Sequence, residues 1–246
     1  MELNPSKLLF HAGLFAVGMG FLESAVVIYL RALYYPAGFD FPLIAMKGNI
    51  ILTEILREAA TMLMLVYLAI IAVRPFLLRF AVFVYTFAVW DIFYYLFLYL
   101  ILGWPPSVFT WDLLFLIPSI WTGPVLAPVI NSLTMIILAS GILFSYAKNH
   151  SFRLTAFEWS LLLLGSFITI IAYTQDYLSY MLNKFPIREL VTFTPSTEVT
   201  EYATNYVPVN FNWMVFFLAE ALFLISIVKF FFRTGLIPVK PKLQKQ

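Results

Sequence analysis

Five acidic side chains lie inside segments that otherwise have the composition of membrane-spanning helices: Glu23, Glu54, Glu58, Asp91 and Glu220. Two arginines, Arg31 and Arg57, lie at comparable depth. A charged side chain at mid-bilayer costs about 2.5–3.5 kcal/mol on insertion scales, so such groups face a bundle interior or a wet cavity rather than lipid. Five carboxylates against two guanidinium groups leave three negative charges that protons, water or a bound cation must neutralise.

Three of these charged residues share one face of a single segment. If that segment is helical, Glu54, Arg57 and Glu58 project within an arc of about 100°, because each residue advances about 100° around the axis. The arginine can then hold either carboxylate through paired hydrogen bonds. One interpretation is a buried ion-pair network that fixes the register of the helix. The other is a proton or cation site, or an anchor for a polar headgroup or a quinone oxygen.

The remaining acidic residues are expected to join the same site. Asp91 precedes Tyr94 and Tyr95 by three and four residues, which brings both hydroxyl groups within reach of its carboxylate on a helix. Glu220 stands between two alanines that leave room for close contact. All five carboxylates fall in the middle or outer half of their segments. The predicted buried polar cluster consists of Glu23, Arg31, Glu54, Arg57, Glu58, Asp91, Tyr94, Tyr95 and Glu220.

A stripe of small residues runs along the first apolar segment. Ala12, Ala16, Gly20 and Ser24 recur at intervals of four. Such a stripe allows another helix to approach closely, so we expect it to form a packing surface. Glu23 lies beside the stripe and should face protein rather than lipid.

The segment Gly103–Gly123 is too apolar for a solvated loop and too rich in proline for a complete span. Its composition favours a re-entrant or interfacial helix around Thr110–Ile117, with Thr110 as the N-cap. We expect the segment to cover the acidic cluster on its outer side, because irregular backbone at membrane depth needs protein or water around it. An aromatic collar on the lipid headgroups is the alternative. The predicted outer rim consists of Trp104, Trp111, Asp112 and Trp121.

Composition identifies the class of protein and excludes several functions. Of the 246 residues 62% are hydrophobic and 11% are charged, values typical of a multi-pass membrane protein. The net charge of +2 is scattered, which does not favour nucleic acid as a partner. Cysteine is absent, and the two histidines form no haem, zinc or di-iron motif. We therefore expect no cofactor and no metal; a carboxylate-only site for calcium, magnesium or manganese is the remaining metal option.

Six runs are long enough to cross a bilayer. The predicted fold class is an all-α membrane protein, a six-helix bundle in which the aromatic, proline-rich segment separates the third and fourth helices. The whole chain, residues 1–246, forms one integral membrane domain, with an outer loop at 178–212 and a basic cytoplasmic tail at 236–246. The predicted spans are 8–33, 43–73, 76–102, 124–146, 154–177 and 213–232.

Lysine and arginine predict the orientation of these spans. One face carries ten such residues near the termini and in short connections, whereas the other carries three, Lys47, Lys184 and Arg188. The basic face of a membrane protein is cytoplasmic. Both termini are therefore expected in the cytoplasm, with the protein in the plasma membrane, which is the inner membrane in a bacterium.

Two functions of different kinds follow from the carboxylate excess. The leading hypothesis is a carrier that handles protons or cations, or a non-catalytic membrane subunit of a larger complex, with the bilayer and other membrane subunits as partners. The alternative is an integral membrane enzyme acting on a lipid, isoprenoid or quinone-like substrate, for which a pocket lined by phenylalanine and tryptophan would be the distinguishing feature. A structural anchor is the third interpretation, and the missing catalytic motifs favour the non-enzymatic readings.

Overall fold

The computed structural model describes residues 4–46, 48–190 and 196–237. It is a bundle of six helices long and apolar enough to cross a membrane, which confirms the predicted fold class. Lys47 and the tail from residue 238 onward lie outside the described residues. In chain order the elements are α1 (Pro5–Tyr34), α2 (Gly48–Ala72), α3 (Phe76–Leu102), β1 (Trp111–Phe115), β2 (Trp121–Pro124), α4 (Leu126–Lys148), α5 (Ala156–Leu182), α6 (Ile187–Leu190), α7 (Thr197–Thr204) and α8 (Trp213–Thr234).

Helix ends follow local capping chemistry more than hydropathy. The α1 helix starts at Pro5 because the Asn4 side chain accepts a hydrogen bond from the backbone N–H of Lys7. At the start of α5, Thr155 and Glu158 form a reciprocal capping box. The other end of α5 continues to Leu182, five residues beyond the predicted end of the span at residue 177.

The outer loop predicted at 178–212 contains structure of its own. It includes the last turn of α5 and the short helices α6 and α7. Met181, Phe185 and Val199 form a small buried cluster, and the rings of Tyr180 and Tyr202 stack with centroids 4.4 Å apart. Residues 178–190 and 196–212 therefore pack against each other at the end of the bundle where α5 finishes, and residues 191–195 between them lie outside the described residues.

The small-residue stripe of α1 packs against α3. A Cβ atom added at Gly20 would lie 2.9 Å from the backbone oxygen of Trp90, so only glycine permits this approach. One turn on, the Ser24 hydroxyl donates to the backbone oxygens of Gly20 and Tyr94 at 2.7 and 3.0 Å. The other main contacts between helices join α3 to α2 and α4, α5 to α8, and α4 to α8, with smaller contacts of α1 with α4 and of β2 with α4 and α5.

The two halves of the bundle are filled differently. In the inner half, where α1 begins and α8 ends, a continuous apolar core joins α3, α4, α5 and α8 around residues such as Leu78, Ile142 and Phe230. In the outer half the helices diverge around a cavity, and a β-hairpin enters the space between them. Residues 111–124 are called the re-entrant hairpin below.

The re-entrant hairpin replaces the helix predicted around Thr110–Ile117, and that prediction is wrong. Its strands pair antiparallel, with Asp112 opposite Gly123 and a bulge after Leu113. The Thr110 hydroxyl accepts from the backbone N–H of Ser107 instead of capping a helix. Pro118 interrupts any helix here, and the strand ladder lets the two backbone segments satisfy each other at membrane depth.

The hairpin reaches the middle of the bundle. The rings of Phe115 and Phe87 stack with centroids 6.5 Å apart. The 15 residues from Phe87 to Leu102 cover about 22 Å of α3, so the hairpin tip lies that far below the outer end of the helix. The segment is therefore re-entrant rather than interfacial.

Candidate functional site

A cavity of about 710 Å³ lies in the outer half of the bundle and continues into the inner half as far as Phe80. Helices α2 and α5 flank it, α3 and α4 form its back, and the re-entrant hairpin and α7 bound its outer side. Its volume falls in the range of about 300–1,000 Å³ that is typical of small-molecule sites. Most of the wall is aromatic or aliphatic, including Phe80, Phe83, Phe87, Trp90, Phe115 and Trp121.

Charged residues from α1 and α2 meet on one side of this cavity. Arg57 Nε donates to Glu54 at 2.6 Å, and its terminal nitrogen donates to Glu23 of α1. Arg57 therefore joins two helices, rather than linking only the two glutamates of its own helix. These side chains are 14–20% exposed, so the network is largely removed from bulk water.

Glu58 has a different partner from the one its helical spacing indicated. Its two carboxylate oxygens accept from the backbone N–H of Leu116, at 3.0 and 3.1 Å. Leu116 follows β1 at the hairpin tip. Glu58 is 6% exposed and makes no salt bridge with the described residues. It thus fastens the hairpin to α2 while its charge stays uncompensated by a direct ion pair.

Asp91 also lines the cavity without a basic partner at salt-bridge distance in the described part of the chain. The Ser132 hydroxyl of α4 donates to it at 2.8 Å. The expected bonds from Tyr94 and Tyr95 do not form, because these rings are directed towards the hairpin and Asp112. Helical spacing along α3 did not predict the hydrogen-bond partner of Asp91, because a serine of the neighbouring helix α4 supplies the hydroxyl group.

Arg31 and Asp112 pair across the outer end of the cavity, 3.4 Å apart. The guanidinium group also lies 3.7 Å from the ring centroid of Trp104 and 4.6 Å from that of Phe39, in cation–π geometry. Asp112 is therefore an interior residue, 2% exposed, rather than a residue of the rim.

Asp112 is incompletely satisfied despite this ion pair. Burial raises the pKa of its carboxyl group to about 6, against the opposing effects of Arg31, the Leu113 backbone N–H and the hydroxyl groups of Tyr95 and Tyr94. Neither hydroxyl meets strict hydrogen-bond geometry with Oδ2, which is buried without a partner. An unsatisfied carboxylate oxygen in a dry interior is costly unless a further group binds it.

Glu220 lies behind the cavity wall rather than on it. It accepts from the side-chain amide of Asn131 and, at 2.7 Å, from the hydroxyl of Thr134. Tyr173 donates in turn to Asn131 at 2.6 Å, and Asn131, Thr134 and Tyr173 all line the cavity. Glu220 is thus connected to the cavity through polar side chains, without facing it.

The tryptophans predicted for the outer rim occupy three different environments. Trp104 covers Arg31, and Trp121 lines the cavity and stacks on Tyr173 with centroids 6.0 Å apart. Trp111 instead packs edge-on against Phe211, 6.2 Å away, outside the cavity wall.

Several polar residues of the site were absent from the predicted cluster. Asn131, Ser132 and Thr134 are polar residues in an otherwise apolar span, and that contrast was an available signal. The indole nitrogens of Trp90 and Trp121 are buried without partners, which no sequence pattern indicates.

Among the residues that the structure describes, no group of three His, Cys, Asp or Glu side chains has the arrangement of a metal site. The side chains that line the cavity supply hydrogen-bond donors and acceptors and carboxyl groups that can take up a proton. The chain matches no protein-family model, no curated protein and no solved structure.

Proposed function

We propose that this multi-pass membrane protein is a carrier that handles protons or cations through the cavity in its outer half. One observation carries the proposal: Glu58 and Asp91 line a cavity of about 710 Å³ and neither has a basic side chain at salt-bridge distance in the described ranges. Each negative charge there must be neutralised by a proton or by a bound cation. A carboxylate that can take either one is the element a proton- or cation-coupled carrier requires.

The neighbouring ion pairs support this reading over a purely structural one. Arg57 forms salt bridges with Glu23 and Glu54, and Arg31 forms one with Asp112, so both arginines already have acidic partners. In a structural anchor whose acidic residues only join helices, every buried carboxylate would have a basic partner. Here Asp91 is held by a serine and Glu58 by a backbone amide, and both can change protonation without breaking an ion pair.

Infrared difference spectroscopy between neutral and acidic pH tests the proposal without a known substrate. We expect a carboxylic-acid carbonyl band that shifts in D2O and loses intensity in Asp91→Asn and in Glu58→Gln. Glu201→Gln is the matched control, because it removes one acidic charge from an exposed position on α7. A wild-type spectrum without such a band, or a band unchanged in both cavity variants, contradicts the proposal.

An enzyme acting on a lipid, isoprenoid or quinone-like substrate is the second candidate. The aromatic and aliphatic wall around Phe83, Phe87 and Phe115 favours it, because a hydrated ion pathway does not need such a lining. Under this reading Asp91 or Glu58 acts as general acid or base. Mass spectrometry of membrane lipids would reveal it as a species that accumulates with the wild-type protein and not with Asp91→Asn.

A further inference from the structure

The outer end of the cavity holds a carboxylate oxygen that accepts no hydrogen bond from the part of the chain that the structure describes. Oδ1 of Asp112 pairs with Arg31, whereas Oδ2 is buried without a hydrogen-bond partner in the described residues. The side chain is 2% exposed and belongs to the cavity wall. A buried acceptor of this kind points to a donor or a positive charge supplied by something that occupies the cavity.

Asp91 contributes a second negative charge to the same end. The two aspartates are close enough for each charge to act on the other. Arg31 is the basic group that balances this pair, and its guanidinium group is already enclosed by Trp104 and Phe39. When both carboxylates are ionised, two carboxylates and one arginine leave a net charge of −1 at this end of the cavity.

Aromatic rings complete this end and continue along the cavity. Tyr94, Tyr95 and Trp90 lie on the same wall as Asp91, and ring faces attract cations by about 0.5–2 kcal/mol. Towards the inner half the wall is apolar from Phe87 to Phe80. The 15 helical rises from Phe80 to Tyr95 extend about 22 Å along α3, so the cavity is elongated, with Asp91 and Asp112 towards its outer end and apolar side chains at the end near Phe80.

We propose that the ligand is a hydrophobic organic cation, with its positive end between Asp91 and Oδ2 of Asp112 and its apolar body along the aromatic wall towards Phe80. The inference rests on the proposed function and names the substrate class of that site. The cation and a proton are then alternative ways of neutralising Asp91, which couples their movements.

The unpartnered indole N–H groups of Trp90 and Trp121 define the competing ligand class. Two donors on an apolar wall would suit a neutral molecule with oxygen acceptors. The charge balance favours the cation, because a neutral ligand with only oxygen acceptors brings neither a positive charge to ionised Asp91 nor a hydrogen-bond donor to Oδ2 of Asp112.

Three probes of nearly equal size separate these classes. Tetraphenylphosphonium is a cation, tetraphenylborate is an anion of the same shape, and triphenylphosphine oxide is neutral with one strong oxygen acceptor. Each is titrated into the full-length protein in neutral-detergent micelles by isothermal calorimetry, with empty micelles as the blank. We expect saturable binding of the cation at one site per chain, with at least about tenfold tighter affinity than for either other probe.

Variants then locate the binding site. Asp91→Asn and Asp112→Asn are each expected to weaken tetraphenylphosphonium binding by about tenfold or more, the change that loss of one charge contact produces. Glu201→Gln should leave binding unchanged. Size-exclusion profiles and circular dichroism check folding, and if an aspartate variant does not fold, the ranking of the three probes on the wild-type protein decides.

The outcomes distinguish this inference from the proposed function. One outcome is that triphenylphosphine oxide binds as tightly as the cation, keeps its affinity in Asp91→Asn and loses it in Trp90→Phe. That result overturns the cation as the ligand class and does not contradict the proposed function. If no probe binds to folded protein while the infrared band of Asp91 is present, only the ligand inference fails. If no probe binds and the infrared band is also absent, the proposed function is overturned as well.

Discussion

Two interior carboxylates, Glu158 at the inner end of α5 and Asp91 beside the cavity, show how differently one protein can hold buried charge. Glu158 is 0% exposed, and it accepts from Arg233 at 2.8 and 3.2 Å and from the Thr155 backbone N–H at 2.7 Å. Asp91 has one hydroxyl partner, Ser132, and an open volume in front of it. Burial of an acid therefore does not itself indicate function; an uncompensated charge beside a cavity does.

The largest effect is expected where removal of one arginine strands two carboxylates. Arg57→Leu leaves Glu23 and Glu54 without their partner, and breaking a buried pair costs about 3–5 kcal/mol. The free energy of unfolding in detergent measures the loss. The matched control is the triple variant Glu23→Gln, Glu54→Gln, Arg57→Leu, which removes all three charges. If the triple variant is less stable than Arg57→Leu, the three residues are not a self-contained network.

Arg233→Leu should cost somewhat less, about 3 kcal/mol, at the low end of the range for a broken buried pair. Its side chain is 39% exposed, so water can reach part of the stranded Glu158 carboxylate. Adding Glu158→Gln should restore most of the lost stability in the same unfolding assay. A double variant with no higher free energy of unfolding than Arg233→Leu would mean that side-chain packing, rather than the Glu158–Arg233 ion pair, holds α5 and α8 together at this end.

The pH dependence of stability isolates Asp112. Its pKa rises from 3.8 to about 6 on folding, so the folded state binds more protons between these values and stability falls as pH rises through them. Between pH 4 and pH 6 this group should remove about 2 kcal/mol from the free energy of unfolding. Asp112→Asn should lack that decrease, and since both proteins share all other acidic groups, the difference between the two curves reports Asp112 together with its effect on Asp91. Parallel curves of stability against pH for the two proteins would contradict a raised pKa of Asp112 in the folded state.

The smallest effect is expected at Asp91. Asp91→Asn keeps an oxygen that accepts from Ser132 and removes a charge without an ionic partner, so it should change stability by less than about 1 kcal/mol. Glu158→Gln is the comparison, and it should cost about 1.5–3 kcal/mol because it weakens hydrogen bonds to a charged group. Equal costs for the two substitutions would remove the contrast between the regions.

The sequence predicted the helices well because their signal is local. An apolar run such as Phe76–Leu102 must span, since no other structure satisfies its backbone in lipid, and the structure gives that helix the same bounds. The re-entrant hairpin was misassigned, although Trp111 and Phe115 before Pro118, and Trp121 and Thr122 after it, are residue types typical of paired strands. Thr110 resembled an N-cap, and that local signal gave the wrong element.

The candidate site was predicted by residue type, whereas its pairings were not. Glu23, Glu58 and Asp91 do line one cavity, but the partners of the first two come from α2 and from the hairpin. Which helices adjoin is a tertiary property that one sequence does not encode in its spacing. Glu158 was overlooked although its signal is local: it forms a capping box with Thr155 at the edge of a predicted span.

The hydrogen bond from Leu116 to Glu58 also bears on how the protein is made. A ribosome delivers α2 to the bilayer before it delivers the hairpin, so the carboxylate acceptor is in place before the amide that needs it arrives. An amide entering hydrocarbon without an acceptor would cost several kcal/mol. The order of elements along the chain thus makes α2 a template for inserting the hairpin, and a circular permutant that places α2 after residue 124 should insert slowly and be degraded during biogenesis.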